Sequence, residues 1–158
     1  MTLLKKRRHF LRIVAFCLAV IMAAPIYASA AAIQPAQTRA SDYLESYQAY
    51  TYCAGTGKMQ VWFDVTGVNY MDDIGALSIY LYESTDNSNW TQVKYFGHAV
   101  YTDMLAQNDI RHCSHVDYQG VIGRYYKAYV CIWAGKDGGG DTRYFWTSAK
   151  LATRKSES

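Results

Sequence analysis

Over residues 125–132 the chain keeps a strict two-residue period, and no other feature limits its fold so sharply. Tyr126, Ala128, Val130 and Ile132 alternate there with Tyr125, Lys127, Tyr129 and Cys131. A helix would scatter these two sets around its circumference, whereas a strand sends them to opposite faces. The period recurs where Met59, Val61, Phe63 and Val65 alternate with Gln60, Trp62 and Asp64, and where Leu77, Ile79 and Leu81 alternate with Ser78, Tyr80 and Tyr82. Weaker strands are expected at residues 47–53, 90–96, 111–118 and 143–149. The turn-forming runs Ala54-Gly55-Thr56-Gly57, Ser84-Thr85-Asp86-Asn87-Ser88-Asn89 and Gly135-Lys136-Asp137-Gly138-Gly139-Gly140-Asp141 separate several of them. Only residues 101–109, around Met104 and Leu105, suggest a short helical turn. About seven short strands without intervening helices predict an all-β, antiparallel, immunoglobulin-like sandwich.

The ends of the chain divide from this region by composition. Residues 1–30 carry Lys5, Lys6, Arg7, Arg8 and Arg12, then an uncharged stretch over residues 13–24, then Ala28-Ser29-Ala30. This is the layout of a secretory signal peptide, with cleavage expected after Ala30. The uncharged stretch is well short of the roughly 20 residues of a transmembrane helix, so the product is expected to be secreted, extracellular and free of the membrane after cleavage. Residues 31–41 read as a flexible arm, residues 42–150 as the sandwich domain and residues 151–158 as a polar tail. Five of the 16 basic residues lie in the leader, which leaves 11 against 13 acids. The mature chain is slightly acidic, and nothing in its charge suggests a nucleic-acid partner.

Removing the leader discards Cys17 and leaves Cys53, Cys113 and Cys131. An odd number permits at most one internal disulfide, and the pairing stays open. Stability must then come chiefly from an apolar core, which a chain of this length can build.

The segment Gly123-Arg124-Tyr125-Tyr126-Lys127-Ala128-Tyr129-Val130 has the pattern of the penultimate strand of an immunoglobulin-like sandwich. In such folds a tyrosine near the start of that strand bonds back to an upstream backbone group; Tyr126 is in phase for that role. Cys131 falls on the opposite parity, so an intersheet disulfide of the antibody type is not expected. Together with Gly75-Ala76-Leu77, the hairpin from Glu83-Ser84-Thr85 to Trp90-Thr91, and Trp133-Ala134-Gly135-Lys136-Asp137-Gly138, this segment resembles an uncharacterised family of short exported proteins of Gram-positive bacteria. The likeness spans about residues 39–150. It implies secretion, a bacterial source and an immunoglobulin-like β-sandwich, and it carries no catalytic residues.

Strand phase also names a candidate site. With Leu77, Ile79 and Leu81 facing the core, Tyr80 and Tyr82 face away; with Tyr126, Ala128 and Val130 facing in, Tyr125, Tyr129 and Trp133 face out. If the two strands are neighbours, these five rings form an outward aromatic platform flanked by Lys127, suited to a carbohydrate or an extracellular protein. The competing reading is that tyrosine serves only as a good strand former, paired across strands. The same face, or an unpaired thiol, would alternatively join copies of the chain.

Other chemistry finds little support. His112 and His115 in His112-Cys113-Ser114-His115 are three apart and project to opposite faces of a strand, which argues against a shared metal ion. Asp137 and Asp141 are too few for a calcium loop and suit a glycine-rich hairpin. No nucleophile elbow, phosphate loop or zinc-protease helix is present, so no catalytic residue and no cofactor is expected; a thiol-dependent enzyme using Cys113 is the remaining alternative.

Overall fold

The computed structural model describes residues 41–156. The leader, and all of the arm except Ser41, lie outside the described residues. Among the described residues seven strands join into one antiparallel sheet: β1 (Leu44–Gly55), β2 (Lys58–Ser84), β3 (Thr91–Gly97), β4 (Leu105–Gln119), β5 (Tyr125–Lys136), β6 (Gly139–Trp146) and β7 (Lys150–Leu151). A 3-10 turn at Thr102–Met104 precedes β4.

Strand β2 organises the rest. Along one edge it pairs with β1 through Gly67 and then with β5 from Asp73 onward; along the other it pairs with β4 and then β3. The two strands expected at residues 59–65 and 77–81 are therefore halves of one. Where the sequence reading expected two facing sheets, hydrogen bonding through β2 joins all strands into one curled sheet. The curl is made by irregularities. Pairing with β4 breaks between Thr66 and Met71, where Val68, Asn69 and Tyr70 stand exposed. A second break between Ala76 and Ser78 puts a bulge at Leu77.

That bulge corrects the expected phase of one residue. A bulge adds one residue to a strand and reverses the faces beyond it. Ile74 and Ala76 face inward before it, Ile79 and Leu81 after it, and Leu77 is turned to the half-buried outer side. Elsewhere the alternation holds, and Met59, Val61, Phe63, Val65, Tyr126, Ala128, Val130 and Ile132 are all buried in a single core. Phe96 from β3 and Met104 from the 3-10 turn close it.

Two tight hairpins use paired positive φ angles. Thr56 and Gly57 (54° and 77°) join β1 to β2, and Asp137 and Gly138 (51° and 80°) join β5 to β6. These are type I′ values, whose twist matches that of the flanking strands. Beyond Lys150 the described part of the chain docks on the domain. β7 pairs with β5, Ala152 is buried, and the carbonyls of Thr153 and Arg154 accept hydrogen bonds from Gly57 and Thr56.

The Tyr126 corner takes its expected form. Its hydroxyl accepts the Val121 amide at 2.8 Å and donates to the carboxylate of Glu83, which Arg124 also grips. Burial first, and then the bond to Glu83, push the Tyr126 phenol up to about 12. Burial works to raise Glu83, but the Tyr126 and Arg124 hydrogen bonds outweigh it and hold that carboxyl below its usual value.

The signs follow from linkage. The neutral phenol is favoured in the fold, so its contribution is whole below pH 10 and is lost as pH rises to about 12. Glu83 contributes above 4.5 and loses that contribution as pH falls through its lowered value. Tyr126→Phe should cost about 1–3 kcal/mol near neutral pH, because it takes a hydrogen-bond partner from the Val121 amide and from the half-buried Glu83 carboxylate. Chemical denaturation across pH should show the gap between the two proteins narrowing between pH 10 and 12.

Candidate functional site

The outer face of β3, β2, β5 and β6 carries one aromatic row. Tyr95 lies opposite Tyr80, Tyr80 opposite Tyr129, and Tyr129 opposite Trp146, so four adjacent strands each supply a ring in register. The centroids of Tyr80 and Tyr95 are 4.9 Å apart, and those of Tyr129 and Trp146 are 5.0 Å apart. Tyr144 stacks on Tyr129 at 5.9 Å, and Tyr82 meets Trp146 at 5.0 Å. Directly opposite Tyr82, Lys127 reaches between two indoles, its ammonium 4.3 Å from the centroid of Trp90 and 4.5 Å from that of Trp146. This row exists because the outward positions of every strand hold residues that favour a pleated surface and pair across it.

Four of the five expected site residues join this surface. Tyr80, Tyr82 and Tyr129 lie within it, each half-buried by its neighbours. Trp133 is four residues further along β5, on the same face. Tyr125 stands apart, at the start of β5 opposite Ser84 and Leu151 and beyond Lys127. Tyr95, Tyr144 and Trp146 were not singled out from the sequence, although they are the most open members, at 50%, 60% and 48% exposure. Their signal was alternation with Phe96 and Phe145, the partners that pack toward the core.

Beyond Trp133 the face deepens into a groove of about 610 Å³, lined by Asp73, Leu77, His98, Thr102, Leu105, Gln107 and Trp133. The bulge supplies Leu77 to it. The connection from β3 to β4 borders this groove through His98 and Thr102.

A second outward row occupies the other half of the sheet. Tyr50, Trp62 and His115 lie in register on β1, β2 and β4; Trp62 stacks on His115 at 4.3 Å and runs nearly parallel to Tyr50 at 6.5 Å. Beside them Arg111 forks onto Asp64 through bonds of 2.8 and 2.7 Å. The Arg111 hydrogen bonds overcome desolvation and lower the Asp64 carboxyl.

The residues considered for metal or thiol chemistry do not converge. His112 turns inward beside Phe63 and bonds the Asp103 carbonyl at 2.8 Å, while His115 is on the opposite face. Asp72 accepts the Asp137 amide, and Asp141 accepts the Ser41 hydroxyl. Among the described residues no three His, Cys, Asp or Glu side chains are grouped to hold a metal ion. The cysteines are also separated. Cys53 is buried beside Thr153, Cys113 is exposed on β4, and Cys131 is buried beneath the aromatic row. Burial pushes the Cys131 thiol up against hydrogen bonds from Tyr144 and Ser78, which makes it a poor nucleophile.

No protein-family model matches the sequence, and no curated protein matches it. Among solved structures, a family 76 glycoside hydrolase from a bovine Bacteroides thetaiotaomicron strain is similar over 70% of this chain and 21% of its own length, at 13% identity and a TM-score of 0.32. A likeness that slight carries no argument about fold or activity.

The burial pattern yields a stability test of the row. Tyr95→Ala and Trp146→Ala should each cost no more than about 1 kcal/mol, the scale of cross-strand pairs, whereas Phe63→Ala in the core should cost about 3–5 kcal/mol. Thermal or urea unfolding of the three variants measures the difference.

Proposed function

We propose that this chain is an exported, non-catalytic binding module that holds a carbohydrate on its outer aromatic face. One observation carries the reading: four neighbouring strands place Tyr95, Tyr80, Tyr129 and Trp146 in a single outward row. Aromatic rings offer apolar faces and polar tips together, which suits the apolar faces and hydroxyl rims of sugars. Contiguous apolar surface of this kind usually marks an interaction site. Within the proposal, the two halves of the curled sheet act as the layers of an immunoglobulin-like sandwich, a reading supported by the Tyr126 corner. Export and an extracellular, bacterial setting rest on the cationic leader and on the family resemblance of the sequence.

A second reading, self-association, has its own observation. Among the described residues β4 pairs with β2 alone, and exposed Cys113 lies on it. An unpaired edge with an accessible thiol can recruit a second copy. Light scattering and non-reducing gels decide this; a monomer without a mixed disulfide removes it.

The main proposal is tested by retention on insoluble and soluble polysaccharides. The unmodified protein should be retained, and the combined change Tyr95→Ala, Tyr129→Ala and Trp146→Ala should abolish retention while the protein remains folded. Retention unaffected by the triple change would end the proposal. Export is checked separately by expressing the full chain in a Gram-positive host: the product in the medium should begin at Ala31.

A further inference from the structure

We infer that the groove beside Trp133 is a subsite for one sugar unit of a neutral glycan, the place where the aromatic face acquires selectivity. The inference rests on the carbohydrate reading above and assigns its ligand a chemical class.

Trp133 is held differently from the rings of the row. A side chain at Gly135 would come within 2.5 Å of its indole, and one at Gly140 within 2.3 Å. The indole therefore lies over two glycines on adjacent strands, in space that any other residue would fill. Packed over backbone in this way, the indole lines the groove. Register brings polar groups to the border of that ring. Gln107 on β4 is opposite Asp73 on β2, and Asp73 is opposite Gly135 on β5, under the indole. Next along, Leu105 faces Gly75, and Gly75 faces Trp133. Thr102 and His98 add a hydroxyl and an imidazole to the rim.

An aromatic plate bordered by a carboxylate, a carboxamide and a hydroxyl is what a pyranose ring requires: stacking for its apolar face, and both acceptors and donors for vicinal hydroxyls. The charge is also informative. Among the described residues, the lining contains the carboxylate of Asp73 and no lysine or arginine. A uronate or phosphate on the ligand would meet a like charge with no compensating cation, which disfavours anionic polymers. Trp133 follows Tyr129 by four residues on the same face, about 13 Å along the strand. A short oligosaccharide spans that interval, so the row and the groove can hold one chain.

The test uses affinity electrophoresis of the full mature chain through gels containing hydroxyethylcellulose, xylan or glucomannan as neutral probes, and polygalacturonate or alginate as anionic ones. Retardation by at least one neutral polymer, and none by the anionic pair, is expected. Trp133→Ala should weaken that retardation about tenfold or more. Gln107→Ala and the isosteric Asp73→Asn, both at the rim and without a core role, should weaken it several-fold and guard against misfolding of the tryptophan variant. If neutral polymers bind, the triple change on the row abolishes binding and the three groove variants bind normally, the groove inference is overturned while the carbohydrate reading stands. Preference for the anionic polymers overturns the assigned class. No retardation by any of the five overturns both.

Discussion

Everything in this domain depends on β2 keeping hydrogen-bonded neighbours on both edges along each of its two halves. A buried amide or carbonyl without a partner is costly, so, although its ladders lapse around the exposed residues 68–70, a strand of 27 residues crossing the middle of the molecule must find neighbours on each side wherever it is buried. It does so by exchanging them: β1 gives way to β5 on one edge, and β4 to β3 on the other. The exchange happens where the register slips, and those slips let the sheet curl around a single core. The bulge at Leu77 thus has two effects from one cause. It restores the inward phase of Ile79 and Leu81, and it brings an apolar side chain to the outer groove.

The inward and outward faces of this sheet are chemically distinct over β2 and β5. Inward positions hold Ile79, Leu81, Ala128, Val130 and Ile132, mostly branched aliphatics that fill a narrow space. Outward positions hold large rings that hold one another in place across strands. Ring pairs of this sort stabilise a sheet whether or not anything binds to them. A recognition surface can therefore form without destabilising the fold, because the contacts that support the strands also order the rings for a ligand.

Much of this arrangement was legible in the residues themselves. Alternation alone identified the inward set on β5 and the outward phase of Tyr80 and Tyr129, while the neighbouring of their strands entered only as a condition taken from the expected sandwich; the position of Tyr126 identified the corner. Four features were not legible, each for a physical reason. The bulge at Leu77 depends on pairing with a distant strand, so the local pattern there simply continued in phase. The fusion of two expected strands into β2 was hidden because Gly67 and the exposed residues after it look like an ordinary turn. The row's most open rings, Tyr95, Tyr144 and Trp146, sit on short strands whose alternation is too brief to specify register before the partner strand is known. The docking of Thr153 and Arg154 on the first hairpin was invisible because it uses backbone carbonyls, which no side-chain pattern reveals.

The ammonium of Lys127, enclosed between Trp90 and Trp146, has one further implication. Two indoles converging on a positive charge make the kind of enclosure that captures quaternary amines such as choline or methylated lysine. Here the chain has installed its own guest. A trimethylammonium group arriving from solution would have to evict a tethered competitor whose effective concentration far exceeds its own, so this notch is closed to such molecules.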